Sequence, residues 1–459
     1  GYEFGFDYLR DQAAQRSVSQ SRLGESYRKL LNGMRDTNVD RVQRGFSFAV
    51  VDEIDSVLLD EANSPLLLSL GAPSPARNTQ AFMLAKSLVG EWHAGREYRL
   101  DSATRNISLT NLGLKLANAQ AERAETRGLE RPWPIYVEQA LRARLFFQRD
   151  VDYIVSDGRI DIVDQNTGRI FADRSWAEGL HQAVQAKEGV PILSENKPLV
   201  RISRQRFIRL YQGLCGMTGT ATGSAEEFRS TYRLSVTAIP LRKPSLRKHL
   251  PTRWFADGES KLRAVADEIL RIHATGQPVL VGARTISSTE ALVKILQALP
   301  IPHRLLNGKQ DADEAAVIGE AGQVGGVTVA TNMAGRGTDI RLGNGAAELG
   351  GLYVIGVECH ESARVDRQLI GRSARQGDPG TCRFFVSADD EVLRRYSPAL
   401  VRRLKHGGNE SGEVLGDFSN FVTRAQKRAE FASAGLRRQL MAHDDWMGGV
   451  LSALAGRAE

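Results

Sequence analysis

The stretches VTVATNMAGRGTDI (residues 327–340) and RQLIGRSARQGDPG (residues 367–380) decide the fold of this chain. The first opens on an apolar run and turns to glycines and polar residues, and LYVIGVE (residues 352–358) reads as a second buried strand. Short apolar runs that alternate with helical patterns predict a parallel sheet covered on both faces, with ligands at the carboxyl ends of its strands. The polar residues expected at that edge are Thr331, Asn332, Gly335, Arg336, Gly337 and Asp339.

The second stretch carries a pair of arginines. Gln368, Arg372 and Arg375 are spaced four and three residues apart. A helix over residues 365–375, ended by the Gly-Asp-Pro-Gly sequence at 377–380, would place them on one face. Two guanidinium groups one turn apart can stabilise charge on a transferring phosphoryl group. Two arginines alone are more simply a solvated basic face, but the strand and the glycine-rich turn ahead of them favour a phosphate site.

Bulk properties describe a soluble globular protein. The chain has 459 residues, 42% hydrophobic and 25% charged, which suits roughly two to four domains. No apolar run approaches the roughly 18 residues of a membrane span. A net charge of +7 permits contact with nucleic acid or an anionic membrane surface without choosing between them. The three cysteines are isolated in sequence, which excludes a disulfide framework and suits a reducing compartment.

A second chemical pattern lies in FSFAVVDEID, residues 46–55, a predicted strand followed by acidic residues. Asp52 and Glu53 would emerge at its carboxyl end. Phosphoryl transfer needs one carboxylate to hold Mg²⁺, often through water, and another to orient the attacking water. That is the Walker B pattern, although a strand that ends in a solvated acidic turn has the same local sequence.

The residues between these motifs show a different pattern of predicted elements. Residues 72–196 carry short strand candidates and an Asp157-Gly158 hairpin signal, which predicts a mixed α/β insertion. Residues 201–214 read as an amphipathic helix, and the MTGTA sequence at 217–221 reads as an apolar-to-hydroxyl turn. Thr218 and Thr220 could couple nucleotide state to a partner domain, or could form a plain strand-to-helix turn.

The remaining predictions concern the second half of the chain. Residues 241–251 are basic and bounded by prolines, which indicates a linker. Residues 278–283 predict a buried strand, and Asn307 to Gln310 is not a phosphate loop because the GxxxxGK[ST] spacing is absent. An apolar stripe predicts a long helix near the end: Phe418, Val422, Ala425, Ala429, Ala432, Leu436 and Leu440. Its basic face would carry Arg424, Lys427, Arg428, Arg437 and Arg438.

Together these residues resemble the SecA family of preprotein translocase ATPases over nearly the whole chain. The blocks that carry the resemblance stand in family order: GYEFGFDYLRD (1–11), AVVDEIDSVLLDEA (49–62), RDVDYIVSDG (149–158), GLHQAVQAKEG (179–189), LCGMTGTA (214–221), GQPVLVGA (276–283), VATNMAGRGTDIRLG (329–343) and GRSARQGDPG (371–380).

The resemblance implies an α/β fold with two RecA-like motor domains, an inserted α+β preprotein-crosslinking domain and the start of a helical scaffold. The expected divisions are 1–71 and 197–240 for the first motor domain, 72–196 for the insertion, 241–405 for the second motor domain and 406–459 for the scaffold. The implied cofactors are ATP and Mg²⁺. The implied partners are unfolded preproteins, the SecY channel complex, an anionic phospholipid surface and a second copy of the chain. The implied location is the bacterial cytoplasm and the cytoplasmic face of the inner membrane.

The resemblance also implies residue roles. Asp52 and Glu53 correspond to the Walker B pair, with Asp52 holding Mg²⁺ through the nucleotide. Arg372 and Arg375 match the block that carries the arginine fingers. The implied nucleotide-binding residues are Arg336, Gly337, Asp339 and Gln368, and the implied coupling residues are Thr218, Gly219 and Thr220.

Departures from the family pattern qualify these expectations. The family's Walker A loop lies upstream of FGFDYLRD, where this sequence begins, and the two-helix finger and zinc-binding tail are also missing. A truncated sequence or fragment is expected, or a natural shortened paralogue, and we expect at best marginal ATP hydrolysis by these 459 residues. Ala374, where many relatives carry glycine, should leave the predicted helix intact.

Two other functions remain open at this point. A catalytically inactive binding scaffold would also explain the absence of Walker A. A nucleic-acid helicase of the same motor superfamily would suit the basic charge, although GRSARQGDPG and the large insertion argue against it.

Overall fold

The computed structural model describes residues 2–19, 41–69, 74–101, 106–123, 128–163, 170–171, 175–195, 198–306, 314–331 and 338–455. Its helices are α1 (Tyr2–Ser19), α2 (Thr79–Val89), α3 (Asn111–Arg123), α4 (Trp133–Phe146), α5 (Leu180–Glu188), α6 (Arg204–Ile208), α7 (Ala225–Tyr232), α8 (Gly258–His273), α9 (Ile286–Gln297), α10 (Glu314–Gly319), α11 (Ala363–Ile370), α12 (Glu391–Tyr396), α13 (Pro398–His406) and α14 (Ser419–Ala455).

The strands are β1 (Phe48–Asp52), β2 (Leu66–Ser69), β3 (Tyr98–Asp101), β4 (Asn106–Leu109), β5 (Tyr153–Ser156), β6 (Arg159–Val163), β7 (Ile170–Phe171), β8 (Pro198–Ile202), β9 (Gly213–Met217), β10 (Leu246–His249), β11 (Arg253–Phe255), β12 (Val279–Ala283), β13 (Arg304–Leu306), β14 (Val327–Thr331), β15 (Leu352–Gly356), β16 (Pro379–Ser387) and β17 (Glu413–Val414). A π-helical turn at Ser56–Asp60 follows β1.

The chain folds as two compact units. Unit 1 comprises Gly1–Ala72, Asn196–Ile239 and Glu430–Glu459, and unit 2 comprises Pro73–Glu195 and Pro240–Ala429. Helix α14 is therefore divided, with its first part in unit 2 and its remainder in unit 1.

The main sheet of unit 2 confirms the predicted parallel sheet. Its strand order is β13-β14-β12-β15-β16-β11-β17, with β10 also paired to β16. Every residue of β12, β14 and β15 is buried. Alternate residues belong to two apolar clusters, one that includes Val281 with α8 and α9, and one that includes Leu280 with α11. Because successive side chains of a strand point to opposite faces, both faces are covered.

The insertion in unit 2 has its own core. Helices α2, α4 and α5 pack around Phe82, Tyr136 and Val184. The predicted hairpin joins β5 to β6, and Asp157 and Gly158 have φ values of 48° and 72°. Positive φ at both central residues is what a type I′ hairpin turn requires, so the Asp-Gly prediction is confirmed.

Unit 1 is built on two pairs of strands. β1 runs parallel to β9, and β2 runs antiparallel to β8. The predicted helix over residues 201–214 is wrong, since α6 covers only Arg204–Ile208 and lies between strands β8 and β9. The Ser203 side chain accepts a hydrogen bond from the Arg206 amide and so starts the helix. Pairing with β1 then draws Gly213 and Leu214, the last two residues of the predicted helix, into strand β9.

Two predictions for the second half need correction. Residues 241–251 are not only a linker, because β10 lies within them and pairs with β16. The long helix is confirmed as α14, but its apolar stripe is buried only as far as Ala429. Beyond that point Leu436 is 46% exposed and Arg437 is only 6% exposed, because Arg437 donates hydrogen bonds to both carboxylate oxygens of Glu227, at 2.6 and 2.8 Å.

None of the helices within the described ranges combines the length and apolar composition that a membrane crossing requires.

Candidate functional site

The acidic residues of unit 1 stand at the carboxyl end of a parallel strand pair. Asp52 ends β1 and lies in register with Met217, the last residue of β9. The turn that begins at Thr218 is therefore next to the acidic turn. The Asp52 carboxylate accepts a hydrogen bond of 2.8 Å from the Glu53 amide. Glu53 has φ of 49°, a left-handed conformation that costs a non-glycine residue energy and that clusters at functional sites.

Asp55 joins the acidic turn, residues 52–55, to the threonine turn, residues 218–220. Its side chain is buried, and its Oδ2 accepts a hydrogen bond of 2.5 Å from the Thr220 hydroxyl. The Thr220 amide donates to the Thr218 hydroxyl at 3.1 Å. A shift of either turn would therefore act on the other. Sequence reasoning treated Asp55 only as continued acidity, although a carboxylate three residues after Asp52 and a hydroxyl pair at the adjacent strand end could have indicated the contact.

Gly219 lies between the two threonines. A Cβ built at this residue would meet no atom within 4 Å. Local space therefore does not require glycine here, and the hydroxyl groups on either side carry the contacts of this turn.

The donors of unit 1 fit the implied magnesium ion. Among the described residues no three His, Cys, Asp or Glu side chains are grouped to hold a metal ion. Mg²⁺ commonly takes only one or two protein carboxylates, with water and substrate phosphates as its other ligands. The exposed Asp52 carboxylate at the end of β1 suits that role.

The arginines of unit 2 lie on a tight turn and not on a helix face. The helix predicted over residues 365–375 is wrong beyond Ile370, because α11 ends there with Gly371 as its cap. Ala374, Gln376 and Gly377 then have φ values of 53°, 56° and 89°. These left-handed conformations cannot continue a right-handed helix. We call residues 371–378, which lead into β16, the arginine turn.

Two corrections follow from the arginine turn. Gly377 lies inside it and Pro379 begins β16, so the sequence at 377–380 does not end the helix. A Cβ at Gly380 would lie 2.7 Å from the Ala374 amide nitrogen, so the close approach needs glycine there. Ala374 is not the mild helical substitution that we expected, since its left-handed φ is one that glycine adopts at lower cost.

The turn brings three of the predicted residues together. Arg375 Nη1 lies 2.7 Å from Asp339 Oδ1, and Arg372 Nη1 donates to the Thr338 carbonyl at 3.4 Å. The side chains of Arg375 and Asp339 are 38% and 54% exposed, so solvent screens this ion pair and it is weak. Both groups can therefore turn to a ligand at small cost. Gln368 lies on α11, partly buried, whereas Arg336 and Gly337 fall outside the described residues.

A partly buried polar group supports α11, the helix that leads into the turn. Asp366 accepts hydrogen bonds from the His360 amide at 2.8 Å and from Gln426 Nε2 of α14 at 2.7 Å. Burial raises the pKa of the Asp366 carboxyl from 3.8 to about 7, although these two hydrogen bonds act in the opposite direction. The orientation of α11 is thus linked to the start of α14.

Comparisons with known proteins define the class of protein first. A family model described as the SecA DEAD-like domain matches residues 1–229, and one described as the SecA P-loop domain matches residues 244–349 and 344–408. Among solved structures, the E. coli DEAD-box protein SrmB is 23% identical, with a TM-score of 0.26, over 33% of this chain and 83% of that one. The class is that of RecA-like P-loop domains.

Curated relatives narrow the class. The protein translocase subunit SecA of Desulfotalea psychrophila is 41% identical over 453 residues, which cover 97% of this chain and 50% of the relative. The protein translocase subunit SecA 2 of Geobacillus thermodenitrificans is 41% identical over 457 residues, 97% of this chain and 54% of the relative. The chain spans about half the length of the curated relatives it matches. It belongs to the SecA family.

Proposed function

We propose that the chain is part of an ATP-driven motor of the Sec protein-export machinery, which couples ATP binding and hydrolysis to the movement of unfolded preproteins through the SecY channel. The observation that carries this proposal is 41% identity, over 97% of the chain, to proteins named as translocase subunits. The acidic turn and the arginine turn support it, because they offer the side chains that phosphoryl transfer uses.

The acidic turn and the arginine turn each offer side chains for one part of phosphoryl-transfer chemistry. In unit 1, Asp52 would hold Mg²⁺ through water, and Glu53 would accept a hydrogen bond from the attacking water and orient it. When bound, Mg²⁺ neutralises negative charge on the phosphate oxygens. In unit 2, Arg372 and Arg375 would donate hydrogen bonds to the phosphoryl oxygens, where charge develops. The proposed nucleotide-binding residues beside these arginines are Arg336, Gly337, Asp339 and Gln368.

The threonine turn would communicate the state of the nucleotide. Asp55 follows the acidic pair on one turn, and its carboxylate holds Thr220 at 2.5 Å. A displacement of Asp52 or Glu53 on nucleotide binding would therefore move Thr218, Gly219 and Thr220. We propose that this movement couples the nucleotide to the rest of the motor.

The domain divisions follow the same proposal. Residues 1–71 and 197–240 would form part of the first motor domain, residues 72–196 the preprotein-crosslinking insertion, residues 241–405 the second motor domain and residues 406–459 the start of the scaffold. The proposed partners are unfolded preproteins, the SecY complex, an anionic phospholipid surface and a second copy of the chain. The proposed location is the bacterial cytoplasm and the cytoplasmic face of the inner membrane.

Binding of an unfolded preprotein tests the proposal on this chain directly. The fluorescence anisotropy of a labelled, urea-diluted preprotein should rise as the 459-residue chain is added. The same preprotein in its folded form should give a much smaller rise. Equal binding of the two forms, or binding of neither, would contradict the proposal. Unwinding of an RNA duplex by the chain would favour a nucleic-acid helicase instead.

ATP hydrolysis is the second test of the proposed function. We expect at best marginal hydrolysis by the 459 residues alone. SecY-containing vesicles and preprotein should increase whatever rate there is, and Glu53→Gln should abolish the increase because the substituted amide is a poor base for the attacking water. A fast rate without partners, or an increase that survives Glu53→Gln, would contradict the roles assigned here.

A further inference from the structure

The chain segment that enters unit 2 lies against the arginine turn. Unit 2 resumes at Pro240, and strand β10 begins at Leu246. β10 pairs in parallel with the start of β16, so that Arg247 is in register with Gly380. β16 is the strand into which the arginine turn leads. The entering segment and the turn are therefore joined first by backbone pairing.

Arg247 adds a side-chain contact at the centre of the turn. Its Nε and Nη2 atoms both donate to the carbonyl oxygen of Ser373, at 3.2 and 2.8 Å. Ser373 is buried and lies between the two proposed catalytic arginines. Two hydrogen bonds from one rigid guanidinium fix both the distance and the direction of that carbonyl.

Lys243 makes a third contact between the same two segments. A Cβ placed on Gly377 would lie 2.7 Å from Lys243 Cδ, so the lysine stem lies directly over this glycine. Gly377 has φ of 89°, which glycine adopts without strain. Backbone pairing, two hydrogen bonds from Arg247 and the packed Lys243 stem thus all come to the turn from one chain segment.

We propose that Arg247 is a positioning residue for Arg372 and Arg375, which fixes the arginine turn through the Ser373 carbonyl. This inference rests on the proposed function, because it assigns Arg247 a task only if the two arginines act on a nucleotide. The turn contains left-handed residues at Ala374 and Gln376, so its conformation needs external support.

Hydrogen exchange measures, without any nucleotide, how far Arg247 stabilises the arginine turn. In Arg247→Ala, the amides of residues 371–378 should exchange about tenfold faster, since a hydrogen bond from a charged donor is lost. Arg247→Lys should give an intermediate rate, because an ammonium group can donate one hydrogen bond to the same carbonyl. The matched control is Arg242→Ala, which removes an exposed arginine of the same segment and should leave the rate unchanged. An unchanged rate in Arg247→Ala overturns the proposal.

A double-mutant cycle shows whether Arg247 acts through the proposed catalytic arginine. The measurement is the affinity of the chain for a fluorescent ATP analogue with Mg²⁺. Arg375→Ala should weaken binding about tenfold, and Arg247→Ala should weaken it several-fold. Arg247→Ala should cause no further loss in a chain that already carries Arg375→Ala, since a positioning residue has nothing left to position.

The outcomes separate this inference from the function on which it rests. Loss of affinity in Arg375→Ala with none in Arg247→Ala overturns the positioning role alone. Fully additive losses do the same, because Arg247 would then act independently of Arg375. No loss in Arg375→Ala overturns the assignment of the arginines within the proposed function.

Discussion

The parallel strands of unit 1 and unit 2 differ in what covers them. Val329, in the middle of β14, is 0% exposed, whereas Val50, in the middle of β1, is 62% exposed. Both strands have five residues and a parallel neighbour. Parallel sheets are ordinarily covered on both faces, as β14 is by the two apolar clusters of unit 2. Burial therefore depends on the helical layers around a strand more than on the strand's own sequence.

Helix α14 shows the same contrast within one element. Its unit 2 part contributes Val422, Ala425 and Ala429 to an apolar core. Its unit 1 part is held by Arg437 on Glu227 and by Asp444, which accepts hydrogen bonds from Arg201 and from the Ser203 amide. We expect unit 1 to be the less stable of the two, because its sheet is poorly covered and its helix depends on buried polar contacts.

The largest effect is expected at Arg437. Replacing it by alanine leaves the Glu227 carboxylate, whose side chain is 18% exposed, without its main partner. Breaking a fully buried ion pair costs about 3–5 kcal/mol, which is the upper limit expected here. Amide exchange in β1 and β9 should accelerate strongly while exchange in β12 and β14 stays unchanged. The neighbouring exposed Arg438→Ala should shift stability by less than about 0.5 kcal/mol. Equal effects of the two substitutions would show that this ion pair does not stabilise unit 1.

The second prediction compares matched valines. Val329→Ala should destabilise unit 2 by about 2 kcal/mol, from two lost methyl groups and the cavity they leave. Val50→Ala should cost unit 1 less than about 0.5 kcal/mol, because its side chain already meets water. Urea unfolding of both variants measures the difference. A large loss in Val50→Ala would mean that the exposed face of β1 is covered in solution.

The third prediction concerns pH and belongs to unit 2 alone. The Asp366 carboxyl has its pKa raised from 3.8 to about 7 by burial, so the folded state favours its protonated form. The stability that this group contributes is full below its unfolded pKa and declines as pH rises from about 4 to about 7. Asp366→Asn removes the titration, so the variant should gain on the parent by up to about 1.4 kcal/mol per pH unit over that window.

Thermal unfolding of parent and Asn variant at several pH values checks this. Glu358 and Arg367 also act on the Asp366 carboxyl. Both are present in the parent and in the variant, so the difference between the two proteins reports the titration of Asp366. A difference between the two proteins that does not change with pH would contradict the raised pKa.

The smallest effect is expected at Gln376, an exposed residue of the arginine turn with φ of 56°. Gln376→Gly should stabilise unit 2 by about 0.5 kcal/mol, since relief of a left-handed conformation outweighs the added entropy of the unfolded chain. The same substitution at Gln297, the exposed last residue of α9, should instead destabilise by up to about 1 kcal/mol. Equal signs in the two variants would show that φ at Gln376 carries no strain.

The sequence was informative where burial leaves a continuous apolar pattern. Strands β12, β14 and β15 were predicted because strands covered on both faces need apolar residues throughout. The end of α11 at Ile370 was missed, because Ala374 and Gln376 adopt left-handed backbone that their residue types do not predict, whereas glycine would have indicated it. Long-range contacts were also missed, among them Thr220 on Asp55 and Arg247 on the Ser373 carbonyl. The acidic and hydroxyl residues at adjacent strand ends could have indicated the first contact, but no local pattern encodes the second.

The most direct test of the central claim is a hydrogen-exchange footprint of ATP. Exchange of the 459-residue chain would be followed with and without saturating ATP and Mg²⁺. Our account predicts slower exchange in the acidic turn at residues 52–55, in the threonine turn at 218–220 and in the arginine turn at 371–378. Protection confined to other parts of the chain, or none at all, would contradict it.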